Sequence, residues 1–204
     1  MIIASREQYA PFLDLLTSGQ GSTSMEERRS FASQDLNVSS HYDSEIFKFF
    51  DGDRRTALKL SETSSRTLRY GENPHQQASI FGNFFDHFES LHGKDLSYNN
   101  ILDLISAVEL VEDLGENACA IIKHNNPAGA AIGKDSFDAY LKALKCDPVS
   151  SFGGIVAFTS TVDVKLADKL NEIFLEVVCA PDFTDDAMAV LEKKKERRLV
   201  KKKK

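Results

Sequence analysis

Residues 118–129 read ACAIIKHNNPAG, an unbroken small and apolar run closed by a charged pair, Lys123 and His124, and then by Asn, Pro and Gly. The run predicts a buried strand over 118–122, and the residues after the pair predict a turn over 125–129. Working outward, residues 154–158 and 175–180 have the same apolar character and predict two more buried strands. Between and around them, residues 99–111, 136–144, 163–174 and 184–191 carry helical patterns. Strands that alternate with helices in this way predict an α/β fold, layered around a parallel or mixed sheet.

Toward the N-terminus the pattern changes. Residues 2–4 predict a short strand. Ser5 with Gln8, and Ser24 with Glu27, have capping-box spacing and predict two helix starts, the first helix running to Leu16 and a loop covering 17–22. A third helix is expected over 38–50, with Tyr42, Ile46, Phe49 and Phe50 on one face. One strand with three helices cannot make a sheet, so this segment reads as the closing part of a domain. The polar stretch 51–55 marks a boundary.

The chain has 204 residues, 42% of them hydrophobic, with five prolines and eleven glycines, which fits a folded chain and not a disordered one. No run nears eighteen apolar residues, so no membrane-spanning helix is expected, and the N-terminus lacks the basic and apolar regions of a signal peptide. Three cysteines without CxxC spacing fit a reducing cytoplasm and no structural zinc. Residues 193–204, KKKERRLVKKKK, hold a local +8 within a net charge of −6, which leaves −14 for the rest. No aromatic interleaves this tail, and the acidic body behind it repels phosphate, so neither a nucleic-acid nor a membrane partner is expected. The tail reads as a solvated helix end followed by a scar of cloning or truncation.

Two clusters can carry chemistry. Arg69, Tyr70, Gly71, Glu72, Asn73, Pro74, His75 and Gln76 put hydrogen-bonding groups in a loop stiffened by proline. There Arg69 can clamp a phosphate or carboxylate, or the segment can be an ordinary ordered turn. Lys123 and His124 follow a buried strand directly, and ligands of open α/β sheets bind beyond the carboxyl ends of strands. Histidine can move a proton near neutral pH, and a neighbouring lysine can stabilise an oxyanion and disfavour the imidazolium. The alternative is a solvated pair at a strand end. Adjacent residues of a strand point opposite ways, so both serve one site only if the turn has already begun.

Gly153 and Gly154 precede another strand and fit either a ligand-approaching backbone or a tight turn. Glu176 falls in the apolar run 175–180, where a carboxylate is expensive unless paired or used. Phe84, Phe85 and Phe88 read as core, and His41 and Tyr42 as structural. The histidines lack ligand spacing and there is no HExxH, so no metal is expected.

Five ordered segments, RYGENPHQ at 69–76, HGKDLSYNN at 92–100, KHNNPAG at 123–129, SFGGIVAF at 151–158 and EVVCAPDF at 176–183, closely resemble the bifunctional phosphoribosylaminoimidazolecarboxamide (AICAR) formyltransferase / IMP cyclohydrolase family. The resemblance runs to about Val200. It implies that residues 1–53 are the end of a methylglyoxal-synthase-like cyclohydrolase domain and 54–67 a linker. Residues 68–200 would then be the first part of a cytidine-deaminase-like transformylase domain, and 201–204 a lysine tail. It implies formyl transfer from 10-formyltetrahydrofolate to the 5-amino group of AICAR and closure of the product to IMP, in a cytoplasmic homodimer. It also implies catalytic roles for Lys123 and His124, and AICAR contacts from Arg69, Tyr70, Asn99 and, more weakly carried over, Glu176. Ala128 stands where many members have cysteine. Only part of each domain is expected in this chain, which implies negligible activity alone and an exposed cohesive surface.

Overall fold

The computed structural model describes residues 1–203. The chain divides into two compact units, 1–65 and 66–204. Lys204, the last residue of the expected lysine tail, lies outside the described residues.

In the first unit, a 3-10 turn Arg6–Gln8 leads into helix α1 (Tyr9–Ser18), and helix α2 runs Met25–Asp51. Both predicted capping boxes form, Ser5 with Gln8 and Ser24 with Glu27. The strand expected at 2–4 does not form. The Ala4 and Ser5 amides donate to the Gln8 side chain, at 2.7 and 3.1 Å, in place of a neighbouring strand. The second and third helices expected here are one helix. No glycine or proline interrupts residues 25–51, so nothing breaks the backbone ladder. The two helices meet through Phe12 and Phe31, edge to face at 5.5 Å, and through Gln8 donating to Gln34 at 2.7 Å. The stripe of Tyr42, Ile46, Phe49 and Phe50 is exposed, Phe49 by 82%.

The second unit opens with a two-stranded ribbon, β1 (Ser65–Thr67) and β2 (Ser79–Phe81). A short helix α3 (Phe84–His87) and strand β3 (Phe88–His92) follow, then helix α4 (Tyr98–Leu114), strand β4 (Ala118–Lys123) and strand β5 (Asn126–Ile132). Helix α5 (Ser136–Cys146), β6 (Ile155–Phe158), α6 (Val164–Leu170), β7 (Val177–Ala180), α7 (Asp185–Leu191) and β8 (Arg198–Lys202) complete it. The sheet order is β3-β8-β7-β6-β4-β5. Strands β6, β7 and β8 run parallel, while β3, β4 and β5 pair antiparallel to their neighbours, so the sheet is mixed.

Both faces of this sheet are covered, which is why its strands read as continuous apolar runs and not as alternations. Cys119, Ile121, Val156, Phe158, Val178, Ala180 and Leu199 face one cluster with residues of α5, α6 and α7. The residues between them in each strand, such as Ala120, Ile122, Ala157, Cys179 and Val200, face Leu104, Ala107, Val108 and Val111 of α4. Burial of each large side chain of this kind contributes roughly 1.5–3 kcal/mol. Phe84 and Phe88 lie in the α4-side core, with Phe85 packed against it. Side-chain caps from Ser97, Asp135, Asp163 and Thr184 fix the starts of α4, α5, α6 and α7.

Three expectations are corrected. The turn after His124 is shorter than 125–129, because Asn126 already begins β5, an edge strand that tolerates Pro127. The helix expected over 163–174 ends at Leu170. The basic C-terminal segment is not a solvated helix end. Its Arg198–Lys202 stretch is β8, paired with β7 on one side and β3 on the other. Leu199 and Val200 point into opposite cores. Lys201 reaches Asp182 at 2.8 Å, and Lys202 pairs with Glu112. Arg197 is 1% exposed, and its guanidinium donates to the carbonyls of Leu175, Leu170 and Ile173 at 3.3–3.4 Å, closing the end of α6.

Candidate functional site

One edge of the mixed sheet gathers most of the polar residues that the sequence marks. Because β4 runs antiparallel to β6, its carboxyl end lies beside the amino ends of β6, β7 and β8, and β3 also ends there. The edge is therefore built from both kinds of strand end, a departure from the simple rule of carboxyl ends.

At this edge β4 and β5 join through a two-residue turn. Lys123 pairs with Asn126 and Ile122 with Pro127 across it, and His124 and Asn125 adopt left-handed φ values of 51° and 60°. Positive φ at both central residues is the geometry of a type I′ hairpin turn, which matches strand twist but strains a side-chain-bearing residue. The turn begins at His124, so Lys123 and His124 line one cleft of about 350 Å³, with Asn126, Pro127, Ala128, Asp147 and Ser150. Lys123 Nζ donates to the Phe152 carbonyl at 2.7 Å, which fixes the ammonium at the cleft wall. The Asp147 carboxylate accepts from the Ser150 and Val149 amides at 2.9 and 3.1 Å. The Ser150 hydroxyl and then these amides hold it below the usual carboxylate range, so it stays negative in the cleft that also holds Lys123.

His124 also lines a second cleft, of about 380 Å³, with Glu72, Asn73, Asn99, Leu102, Asp103 and Asn125. Asn99 donates from Nδ2 to the Glu72 carbonyl at 3.1 Å and so ties the start of α4 to the 69–76 segment. That segment is ordered by its own bonds, Gly71 N–H to the Gln76 carbonyl at 2.9 Å and Asn73 N–H to the Gln76 side chain at 2.8 Å.

The other marked residues lie apart from the two clefts. Arg69, exposed and 5.6 Å from the Tyr70 ring, lines a small pit of about 40 Å³ with Arg66, Ser90 and Asp95. Glu176 does not sit inside a strand, because β7 starts one residue later. Its side chain is 41% exposed and is matched by Asn100 Nδ2 at 2.9 Å and the Arg198 guanidinium at 3.8 Å, so no buried unpaired charge arises. Asn100 is buried between the α4 cap and Glu176, whereas Asn99 faces the cleft. The Gly153 and Gly154 amides are both committed internally, to Phe174 and Ser151 carbonyls at 2.8 and 3.1 Å, so the pair serves the turn. Gly154 also needs its bareness, since a Cβ there would stand 2.9 Å from the Ile122 carbonyl.

Asp147, Ser150 and Asp103 were not marked by the sequence. An Asp-Pro step such as Asp147-Pro148 is a turn signal that could have pointed to the first two, but Asp103 lies within a helical pattern where a carboxylate looks like ordinary solvent-facing polarity. Among the described residues, no cluster of His, Cys, Asp and Glu is placed to hold a metal ion. No helix there is long and apolar enough to cross a membrane.

The family model for the AICARFT/IMPCHase bienzyme matches residues 1–204. The chain is 44% identical over 197 residues to the bifunctional purine biosynthesis protein PurH of Bacteroides thetaiotaomicron, a match covering 97% of this chain and 39% of that protein. The PurH proteins of Caldicellulosiruptor saccharolyticus and Persephonella marina are 46% and 45% identical over 194 and 214 residues. Those matches cover 89% and 98% of this chain, and 38% and 41% of the relatives. The chain thus spans about two fifths of the length of the curated relatives it matches. With a match over its whole length, this chain belongs to the AICARFT/IMPCHase bienzyme family.

Proposed function

We propose that this chain carries the Lys-His part of an AICAR formyltransferase site, within an enzyme that also closes the product to IMP. The observation that carries the reading is the turn at Lys123 and His124, which sets both side chains on one cleft beside a second cleft that His124 shares. In the proposed reaction the 5-amino nitrogen of AICAR attacks the formyl carbon of 10-formyltetrahydrofolate. The new C–N bond forms, the bond from formyl carbon to folate nitrogen breaks, and the amine proton passes through His124 to the departing nitrogen. The Lys123 ammonium stabilises the charge that develops on the formyl oxygen. Arg69, Tyr70, Asn99 and Glu176 are the proposed AICAR contacts. Arg69 can clamp a phosphate with its planar fork, and Asn99 already lines the cleft with His124. Alignment of the reactants contributes a large part of such rates, about 7–11 kcal/mol in well-oriented cases.

The same reading assigns residues 1–53 to the end of a methylglyoxal-synthase-like cyclohydrolase domain and 68–200 to the start of a cytidine-deaminase-like transformylase domain. It also assigns a homodimer to the complete enzyme. Since the chain spans two fifths of its relatives' length, turnover by it alone is expected to be negligible. Nucleotide binding without turnover is the second reading, favoured by two clefts whose volumes fall in the range of small-molecule sites. The test is AICAR titration of the isotope-labelled chain beside a formyl-transfer assay, each repeated with Lys123→Ala. Shifts at His124 and Asn99 with no turnover support the reading. Robust turnover that survives Lys123→Ala overturns the assignment of the pair.

A further inference from the structure

We propose that Asp103 is the positioning residue of the His124 turn. The Oδ1 oxygen of Asp103 accepts from the Asn125 amide at 2.7 Å, and Oδ2 accepts from the His124 amide at 3.2 Å. One carboxylate thus forks onto both central amides of the hairpin. In a two-residue hairpin these amides point away from the strand pair and need no protein partner, so the fork is an added constraint on a strained turn. Ser106, one helical turn further along α4, donates to the Asn125 side-chain oxygen, so the helix grips the apex at a second point.

The grip is only as firm as the helix that makes it. Leu104, Ala107, Val108 and Val111 bury the adjoining side of α4 against the sheet, and the Ser97–Asn100 capping box closes its start. Asp103 therefore stands on a rigid element and holds the turn that carries the His124 side chain. The imidazole lies on the wall shared by the two clefts, and a rotation of the apex would swing it out of one of them. The negative carboxylate suits amide donors, and charge-assisted hydrogen bonds of this kind are stronger than neutral ones. What His124 does once held there rests on the formyl-transfer reading; the clamp itself does not.

The experiment measures backbone amide hydrogen exchange and intraresidue HN–Hα contacts of His124 and Asn125 in the labelled full chain, Asp103→Ala and Asp103→Asn. In Asp103→Ala, exchange at both amides is expected to rise at least tenfold. The strong HN–Hα contacts of left-handed residues should weaken, while amides of β4 and β6 stay protected. Asp103→Asn keeps one carbonyl oxygen and is expected to deprotect one of the two amides. It also gives the answer if the alanine variant fails to fold. AICAR is then added to each protein, and the shift of the His124 ring resonances is followed. A folded variant whose two amides exchange within twofold of the parent overturns the clamp. A clamp confirmed by exchange together with an unchanged AICAR response of His124 overturns the positioning role. No AICAR response in the parent chain defeats the formyl-transfer reading, while the exchange data still decide the clamp.

Discussion

His124 occupies a position that backbone sterics would give to glycine or asparagine. Its φ of 51°, followed by 60° at Asn125, places two consecutive side-chain-bearing residues in the left-handed region. That region costs about 1–2 kcal/mol per ordinary residue, somewhat less for histidine and asparagine, which are enriched there. The side chain of His124 is exposed, so its packing does not repay the strain. His124→Gly is therefore expected to raise the unfolding free energy by about 1 kcal/mol, read as a higher urea midpoint at unchanged slope. A lower midpoint would mean that the imidazole holds the turn together and is not merely carried by it. Either residue of the pair was visible in the sequence as a polar group after an apolar run. The left-handed apex and the carboxylate that grips it were not, because Asp103 is twenty-one residues away and is brought to the turn only when α4 packs on the sheet.

Among the elements, β8 has the largest consequence for its length. It lies between β7 and β3, and its two central residues, Leu199 and Val200, are fully buried, one in each core. Without it, β7 would become an edge and β3 would lose its pairing with β8. A chain ended after Arg197 is expected to lose cooperative unfolding and amide protection in β3 and β7, checked by hydrogen exchange. Protection equal to that of the full chain would show that β8 is dispensable. The sequence disguised this strand because its last two residues begin a run of four lysines, and composition alone makes such a run look solvated. A strand end at the sheet rim lets long side chains leave the core and meet Asp182 and Glu112, so charge at that place is compatible with a central strand.

At the scale of the molecule, exposed carboxylates set the response to acid. Lys142 beside Asp138, Lys201 beside Asp182, Lys94 beside Glu196 and the Ser150 hydroxyl beside Asp147 each hold a carboxyl below its usual range. A carboxyl with a lowered folded pKa stabilises the fold above its unfolded value, about 4, and loses that contribution as pH falls through the folded value. The urea midpoint of the sheet unit is thus expected to be flat from about pH 5 to 7 and to fall steadily below about pH 4. A midpoint unchanged down to about pH 2.5 would remove these pairs from the account.

The α/β alternation, the buried strands β4, β6 and β7, the capped helices and the Lys123-His124 pair all came from local pattern, because apolar runs and caps act over a few residues. The sheet order, the fusion of two helices into α2, the strand at 198–202 and the meeting of Asp103 with His124 did not. Each of these depends on which distant segments pack together, and that is settled by burial across the whole chain and not by any short stretch of it.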